Sequence, residues 1–156
     1  MGTLTFLDNL PVGTVVGLDT APIIYLIENH PRYEPIVSHL FDDCLEPGLN
    51  FGVTSVATLS EVLVKPFGAV RPDLVERYRE LLTHMAHLSL MDITRAIAER
   101  AAGLRSCYGT RLPDALQVAT ALEHGASHFV TNDRRLRAII DFKVLVLEDF
   151  VEDATS

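Results

Sequence analysis

Apolar residues recur along this chain with two periods. Short β-branched runs alternate with longer stretches whose apolar positions return every three or four residues. Val15-Val16-Gly17-Leu18, Phe51 to Thr54, His87 to Met91, His128 to Thr131 and Lys143 to Leu147 predict strands. The stretches between them predict helices. Pro22 suits the first turn of a helix through Ile23, Ile24, Leu26 and Ile27. A second helix carries Ile36, Val37, Leu40 and Phe41, and Pro47-Gly48 stops it. Ser55 is the expected N-cap of a helix through Leu59, Val62 and Leu63, which Pro66 should end. Residues 72–86 read as another helix, and Asp92 as the cap of one from Ile93 to Cys107, where Ile93, Ile97, Ala101 and Leu104 share a face. Gly109 breaks that helix. Pro113 opens the next, which runs to His124 and ends at Gly125. A short helix from Arg134 to Ile140 leads to the last strand.

Strands that alternate with helices imply a mostly parallel sheet covered on both faces. The expected fold is therefore a three-layer α/β/α arrangement with about five strands. The 156 residues suit one domain, placed at residues 15–150. Residues 1–14 are less regular and read as an extension that packs on the body or meets a partner, with 151–156 a short tail.

Composition narrows the function classes. Hydrophobic content of 48% and charged content of 22% are ordinary for a globular protein. No apolar run reaches the length of a membrane span. Met1 to Leu10 carries Asp8 and lacks a basic region, so no signal peptide is expected and the location should be cytoplasmic. Cys44 and Cys107 match no metal spacing and read as reduced thiols. A net charge of −8 excludes coating nucleic acid by charge alone. Arginines are nonetheless concentrated near two acids: Arg95, Arg100, Arg105 and Arg111 precede Asp114, and Arg134, Arg135 and Arg137 follow Asp133. Guanidinium suits bidentate contact with phosphate, although solvated helix faces account for such runs as readily.

The candidate chemistry lies in four acids. Asp19 ends the first strand, Glu61 lies in the helix after the second, Asp114 heads the helix behind Pro113, and Asp133 follows the fourth strand. In an open α/β sheet such positions converge on the crevice at the carboxyl ends of the strands. Each has a plain structural explanation. Asp19 and Asp133 suit N-caps, Glu61 could pair with Lys65 four residues on, and Asp114 complements a helix dipole. It is their shared location that these explanations leave unaccounted for. Four carboxylates cannot crowd together unpaired, because like charges raise each other's pKa. A divalent cation is the simplest partner that keeps all four ionised, which points to metal-assisted chemistry on a phosphate.

The chain resembles the PIN domain family, and within it the VapC-type toxins of bacterial toxin–antitoxin pairs. The resemblance rests on Leu18-Asp19-Thr20, on Thr58-Leu59-Ser60-Glu61-Val62-Leu63-Val64-Lys65-Pro66, on Arg111-Leu112-Pro113-Asp114-Ala115-Leu116-Gln117-Val118-Ala119-Thr120-Ala121 and on Phe129-Val130-Thr131-Asn132-Asp133. It implies a PIN-like fold and an endoribonuclease dependent on Mg²⁺ or Mn²⁺. The family's acids fall on Asp19, Glu61, Asp114 and Asp133, and its supporting hydroxyl on Thr131. Asp19 and Asp114 are the expected direct ligands. Glu61 and Asp133 would act through water, Glu61 orienting the attacking one. One departure is Ala21, where the family often carries asparagine or serine. The resemblance further implies an RNA substrate, a cognate antitoxin whose arginine would enter the acidic pocket, and a homodimer. Ile36, Leu40 and Phe41 read equally as dimer contacts or as core.

Other readings fit less well. A non-toxin RNA-processing nuclease and a catalytically silent binding module of the same fold stay open. There is no GxxxxGK[ST], GxGxxG or GxSxG motif. His84 with His87, and His124 with His128, lack the further ligands a zinc site needs. A receiver domain would carry an acidic pair upstream of Asp19, and a haloacid-dehalogenase-like phosphatase a second aspartate where Ala21 stands.

Overall fold

A computed structural model describes residues 6–151. The expectations for residues 1–5 and 152–156 fall outside the described residues. Five strands form one sheet: β1 (Val15–Leu18), β2 (Phe51–Ser55), β3 (Leu88–Met91), β4 (His128–Thr131) and β5 (Lys143–Val146). Their order is β3-β2-β1-β4-β5, and every pairing is parallel. The chain builds outward from β1 to β2 and β3, then returns to lay β4 on the other side of β1. The strand order therefore reverses between β1 and β4, and that switch point is where open α/β sheets place their ligands.

Alternate residues of the central strands feed two cores, as the strand period of two requires. Val16, Leu18, Val130 and Leu145 face a core shared with helices α1 (Thr20–Ile27), α2 (Glu34–His39), α3 (Val56–Gly68) and α4 (Pro72–His84). Val15, Phe129 and Val144 face a second core built with α5 (Arg95–Tyr108) and α6 (Leu112–Glu123). This is the three-layer α/β/α arrangement that the alternating pattern implied. At Gly17 the fit on the α6 side is tight. A Cβ there would lie 2.5 Å from that of Ala121 and 2.7 Å from the Phe129 ring.

Several element boundaries differ from expectation. The cap of α5 is Thr94, whose side chain accepts from the Ile97 amide at 3.2 Å. Asp92 lies outside the helix, and Ile93 is exposed rather than part of its buried stripe. Pro66 does not end α3, which runs on to Gly68. The proline's missing N–H forgoes one intrahelical bond, and Pro66 is itself buried. The stretch after α2 continues as a π-helix, Leu40–Leu45. Residues Arg134–Ala138 wind as a 3₁₀ helix.

Ile36, Leu40 and Phe41 are 3%, 0% and 1% exposed. They are core residues, which removes them as dimer contacts. Phe6 and Leu10 are buried too, with Phe6 edge-on to Phe150, so this part of the 1–14 segment packs on the body. Cys44 and Cys107 are free thiols. Among the described residues no helix is long and apolar enough to cross a membrane.

Candidate active site

The four acids are carried by four different segments around the switch point. Asp19 follows β1 directly and is the N-cap of α1, its Oδ1 accepting from the Thr20 amide at 2.7 Å. Its Oδ2 accepts from the Thr131 hydroxyl at 2.6 Å. Thr131 closes β4, the strand beside β1, so the parallel pairing itself brings this hydroxyl to the carboxylate. The same Thr131 oxygen accepts from the Asp133 amide at 3.0 Å. One threonine thus ties the ends of two adjacent strands together and fixes both aspartates relative to each other.

Asp19 is only 8% exposed, and burial pushes its pKa up to about 6. The hydrogen bonds from Thr131 and Thr20 pull the other way, while the charges of Asp114 and Glu61 add to the rise. Glu61 is linked to the Asp19 turn through the hydroxyl of Thr20, which donates to its Oε1 at 3.2 Å. Asp114 stands in the first turn of α6, behind Pro113, and is 8% exposed. Its Oδ2 accepts from Arg111 Nε at 3.2 Å. Asp133 caps the 3₁₀ helix and takes a bidentate contact from Arg135, at 3.0 Å from Nε and 2.8 Å from Nη2. That guanidinium holds the Asp133 carboxyl below its ordinary range.

Glu61 is exposed, but its Oε1 is held. It accepts from Gln117 Nε2 at 2.7 Å and from the Thr20 hydroxyl at 3.2 Å. Gln117 Nε2 also lies 2.6 Å from Thr20 Oγ1 and 3.0 Å from Thr58 Oγ1. Among the described residues no ion pair joins Glu61 to Lys65. Gln117, Thr20 and Thr58 form the hydrogen-bond network that holds Glu61, and none of them was singled out from the sequence. The available signal was Gln117 three residues after Asp114, which puts an amide on the same, otherwise apolar face of α6. Thr20 follows Asp19 directly, and its hydroxyl lies beside Glu61, while the adjacent Ala21 offers no polar group.

The acids are linked pairwise: Thr131 bonds both Asp19 and the Asp133 amide, Thr20 beside Asp19 bonds Glu61, and Asp114 and Asp133 line one pocket. In the present arrangement no three His, Cys, Asp or Glu side chains among the described residues are grouped closely enough to hold a metal ion. Two of the four carboxylates are instead engaged by arginines. Beside them opens a pocket of about 250 Å³, lined by Tyr108, Thr110, Arg111, Asp114, Asp133 and Arg135 among others. Three of the candidate histidines are engaged elsewhere: His87 bonds the Leu45 carbonyl, His84 lies beside Thr83 and Glu80, and His128 beside Ser127.

The sequence profile of the PIN domain matches residues 16–141, and the chain belongs to this family. No curated protein sequence matches the chain. Among solved structures, the chain is similar to VapBC-1 from nontypeable Haemophilus influenzae, with 23% identity and a TM-score of 0.65 over 86% of this chain and 99% of that one. It is similar to a toxin–antitoxin complex from Klebsiella pneumoniae, with 25% identity and a TM-score of 0.63 over 86% and 98%. It is also similar to VapC20 of Mycobacterium tuberculosis, described as a sarcin–ricin-loop-cleaving toxin, with 12% identity and a TM-score of 0.64 over 83% and 99%.

Proposed function

We propose that this chain is a Mg²⁺- or Mn²⁺-dependent endoribonuclease of the PIN family and the toxin of a toxin–antitoxin pair. The observation that carries the reading is the buried Asp19. It is tied to Thr131 and pushed up to about 6 by burial beside Asp114 and Glu61. A desolvated carboxylate with further carboxylates around it is costly unless a cation or a proton joins it. All the donors are oxygens, the ligand type that Mg²⁺ and Mn²⁺ select. In donor chemistry the residues fit such an ion, and Asp19 and Asp114 would hold it directly, with Asp133 and Glu61 acting through water, once Arg111 and Arg135 release the acids they engage. When bound, the ion supplies charge neutralisation at the phosphate and a water of lowered pKa.

The protein's own groups account for the rest. Thr131 keeps Asp19 oriented and fixes the Asp133 turn, a supporting hydrogen bond whose removal typically costs about 10–100-fold in metal affinity or activity. Gln117 and Thr20 bind Glu61 through Oε1, which leaves Oε2 to turn toward the attacking water and take its proton. In-line displacement at a phosphodiester so arranged needs no 2′-hydroxyl. The choice of RNA is supported by the family and by the sarcin–ricin-loop-cleaving description of VapC20.

An antitoxin partner is supported by the toxin–antitoxin complexes among the similar structures. An arginine from such a partner would find the Asp19–Glu61 side of the crevice acidic and without an arginine contact among the described residues. The homodimer is proposed from the family alone, with residues other than Ile36, Leu40 and Phe41 at its contact. The test of the reading is incubation of the purified chain with total RNA and Mn²⁺, with and without EDTA, followed by mapping of the new ends. Discrete ends that vanish with EDTA are expected. Absence of cleavage with Mn²⁺, and with Mg²⁺ in its place, would favour the silent binding module.

A further inference from the structure

Arg111 and Arg135 each contact one of the site acids, and both line the same pocket of about 250 Å³. Their side chains are 67% and 71% exposed. The carboxylates they contact are only 11% and 24% exposed, so the arginines can swing away into solvent while each acid, once vacated, needs another cation. A phosphodiester oxygen pair offers guanidinium the same forked geometry as a carboxylate. The pocket further holds Thr110, whose Oγ1 is buried without a hydrogen-bond partner among the described residues. It opens beside Asp114 and Asp133, the two acids that the arginines occupy.

We infer that this pocket is a subsite for a backbone phosphate flanking the scissile one, and that Arg111 and Arg135 are exchangeable counter-ions that leave Asp114 and Asp133 for that phosphate. The inference rests on the nuclease reading and adds a coupling to it. With the strand absent, the guanidiniums neutralise two carboxylates and compete with a cation for them. With the strand bound, the same guanidiniums face phosphate and the carboxylates are released. Strand and cation then favour each other's binding, since any such coupling is reciprocal. The exchange makes no and breaks no covalent bond. It also gives the protein a reason to place two arginines against acids that a cation must reach: the acids stay neutralised until a phosphate strand arrives.

The test uses two binding measurements on the full chain, neither of which needs turnover. Mn²⁺ is titrated calorimetrically into RNA-free protein, and a fluorescein-labelled oligouridylate is titrated by anisotropy in EDTA across a range of salt. The variants are Arg111→Ala/Arg135→Ala and, as a control that removes an arginine elsewhere, Arg137→Ala, whose partner is Asp149. The double variant should bind Mn²⁺ several-fold more tightly than wild type and the oligonucleotide more weakly. The slope of log affinity against log salt should shrink by about 0.7 for each single-strand phosphate that the protein no longer neutralises. Arg137→Ala should reproduce neither the tighter Mn²⁺ binding nor the shallower slope. Opposite movement of the two affinities is the signature of exchange. If the double variant leaves oligonucleotide affinity and slope unchanged, or matches Arg137→Ala in both titrations, the inference is overturned while the nuclease reading stands. If wild type binds no Mn²⁺ at all, both fall together.

Discussion

At the scale of single residues, the balance around Asp19 sets both reactivity and stability. Two hydrogen bonds favour its charged form, yet burial outweighs them and raises the pKa from 3.8 to about 6. A carboxyl whose pKa is higher in the folded than in the unfolded state favours folding when protonated. Its stabilising contribution is complete below 3.8 and is lost as pH rises through about 6. The difference corresponds to about 3 kcal/mol by linkage. Metal-free protein should therefore unfold at falling temperature as pH climbs from about 4 to about 6, and Asp19→Asn should flatten that slope. Thermal unfolding in EDTA, followed by circular dichroism, checks it; equal slopes in the two proteins would contradict the assignment. Asp133, held low by Arg135, titrates beneath this window. The sequence disclosed Asp19 as a strand-end acid, and the plain structural explanation for it, the cap of the next helix, is a role it does fill. It did not disclose Gln117, because an amide in an apolar stripe carries no charge to mark it and its partners lie 56, 59 and 97 residues away.

At the scale of elements, the site depends on how β1 is seated against α6. Gly17 precedes Asp19 by two residues, and any side chain there would meet Ala121 and Phe129. Gly17→Ala should cost about 1–3 kcal/mol through overpacking and reduce cleavage by displacing the end of β1. Urea unfolding and a cleavage assay on the same preparation test this; unchanged values for both would show that α6 gives way without consequence. The strands were legible because β-branched runs bounded by turn residues allow few alternatives. Helix starts were less so. Asp92 and Thr94 are both good caps by composition, and the choice of Thr94 depends on which hydroxyl or carboxylate meets a free amide. Pro66 misled for a related reason. A proline costs a helix one hydrogen bond without forbidding it, and the buried Pro66 is retained two residues before the end of its helix.

At the scale of the whole molecule, a chain of net charge −8 is read as acting on a polyanion. Long-range attraction cannot account for that, so the affinity has to come from local chemistry: carboxylates that collect a cation, and arginines placed beside them. The topology makes this possible. Returning from β3 to β4 puts two strand ends side by side at the switch point, and a single hydroxyl, Thr131, links the acids that follow them. The placement of Asp19 and Asp133 just beyond the ends of the adjacent strands β1 and β4 could be anticipated from strand ends alone. The engagement of Asp114 and Asp133 with Arg111 and Arg135 could not, since side-chain direction is set by the turn and helix start that carry them. The burial of Ile36, Leu40 and Phe41 likewise depended on how α2 lies over the sheet. The most direct test of the account is RNA cleavage by wild type, Asp19→Asn and Asp114→Asn under Mn²⁺, with folding verified by circular dichroism. Wild type should cut in a manner abolished by EDTA, and both variants should be folded and inactive. Cleavage by either folded variant at the wild-type rate would contradict it.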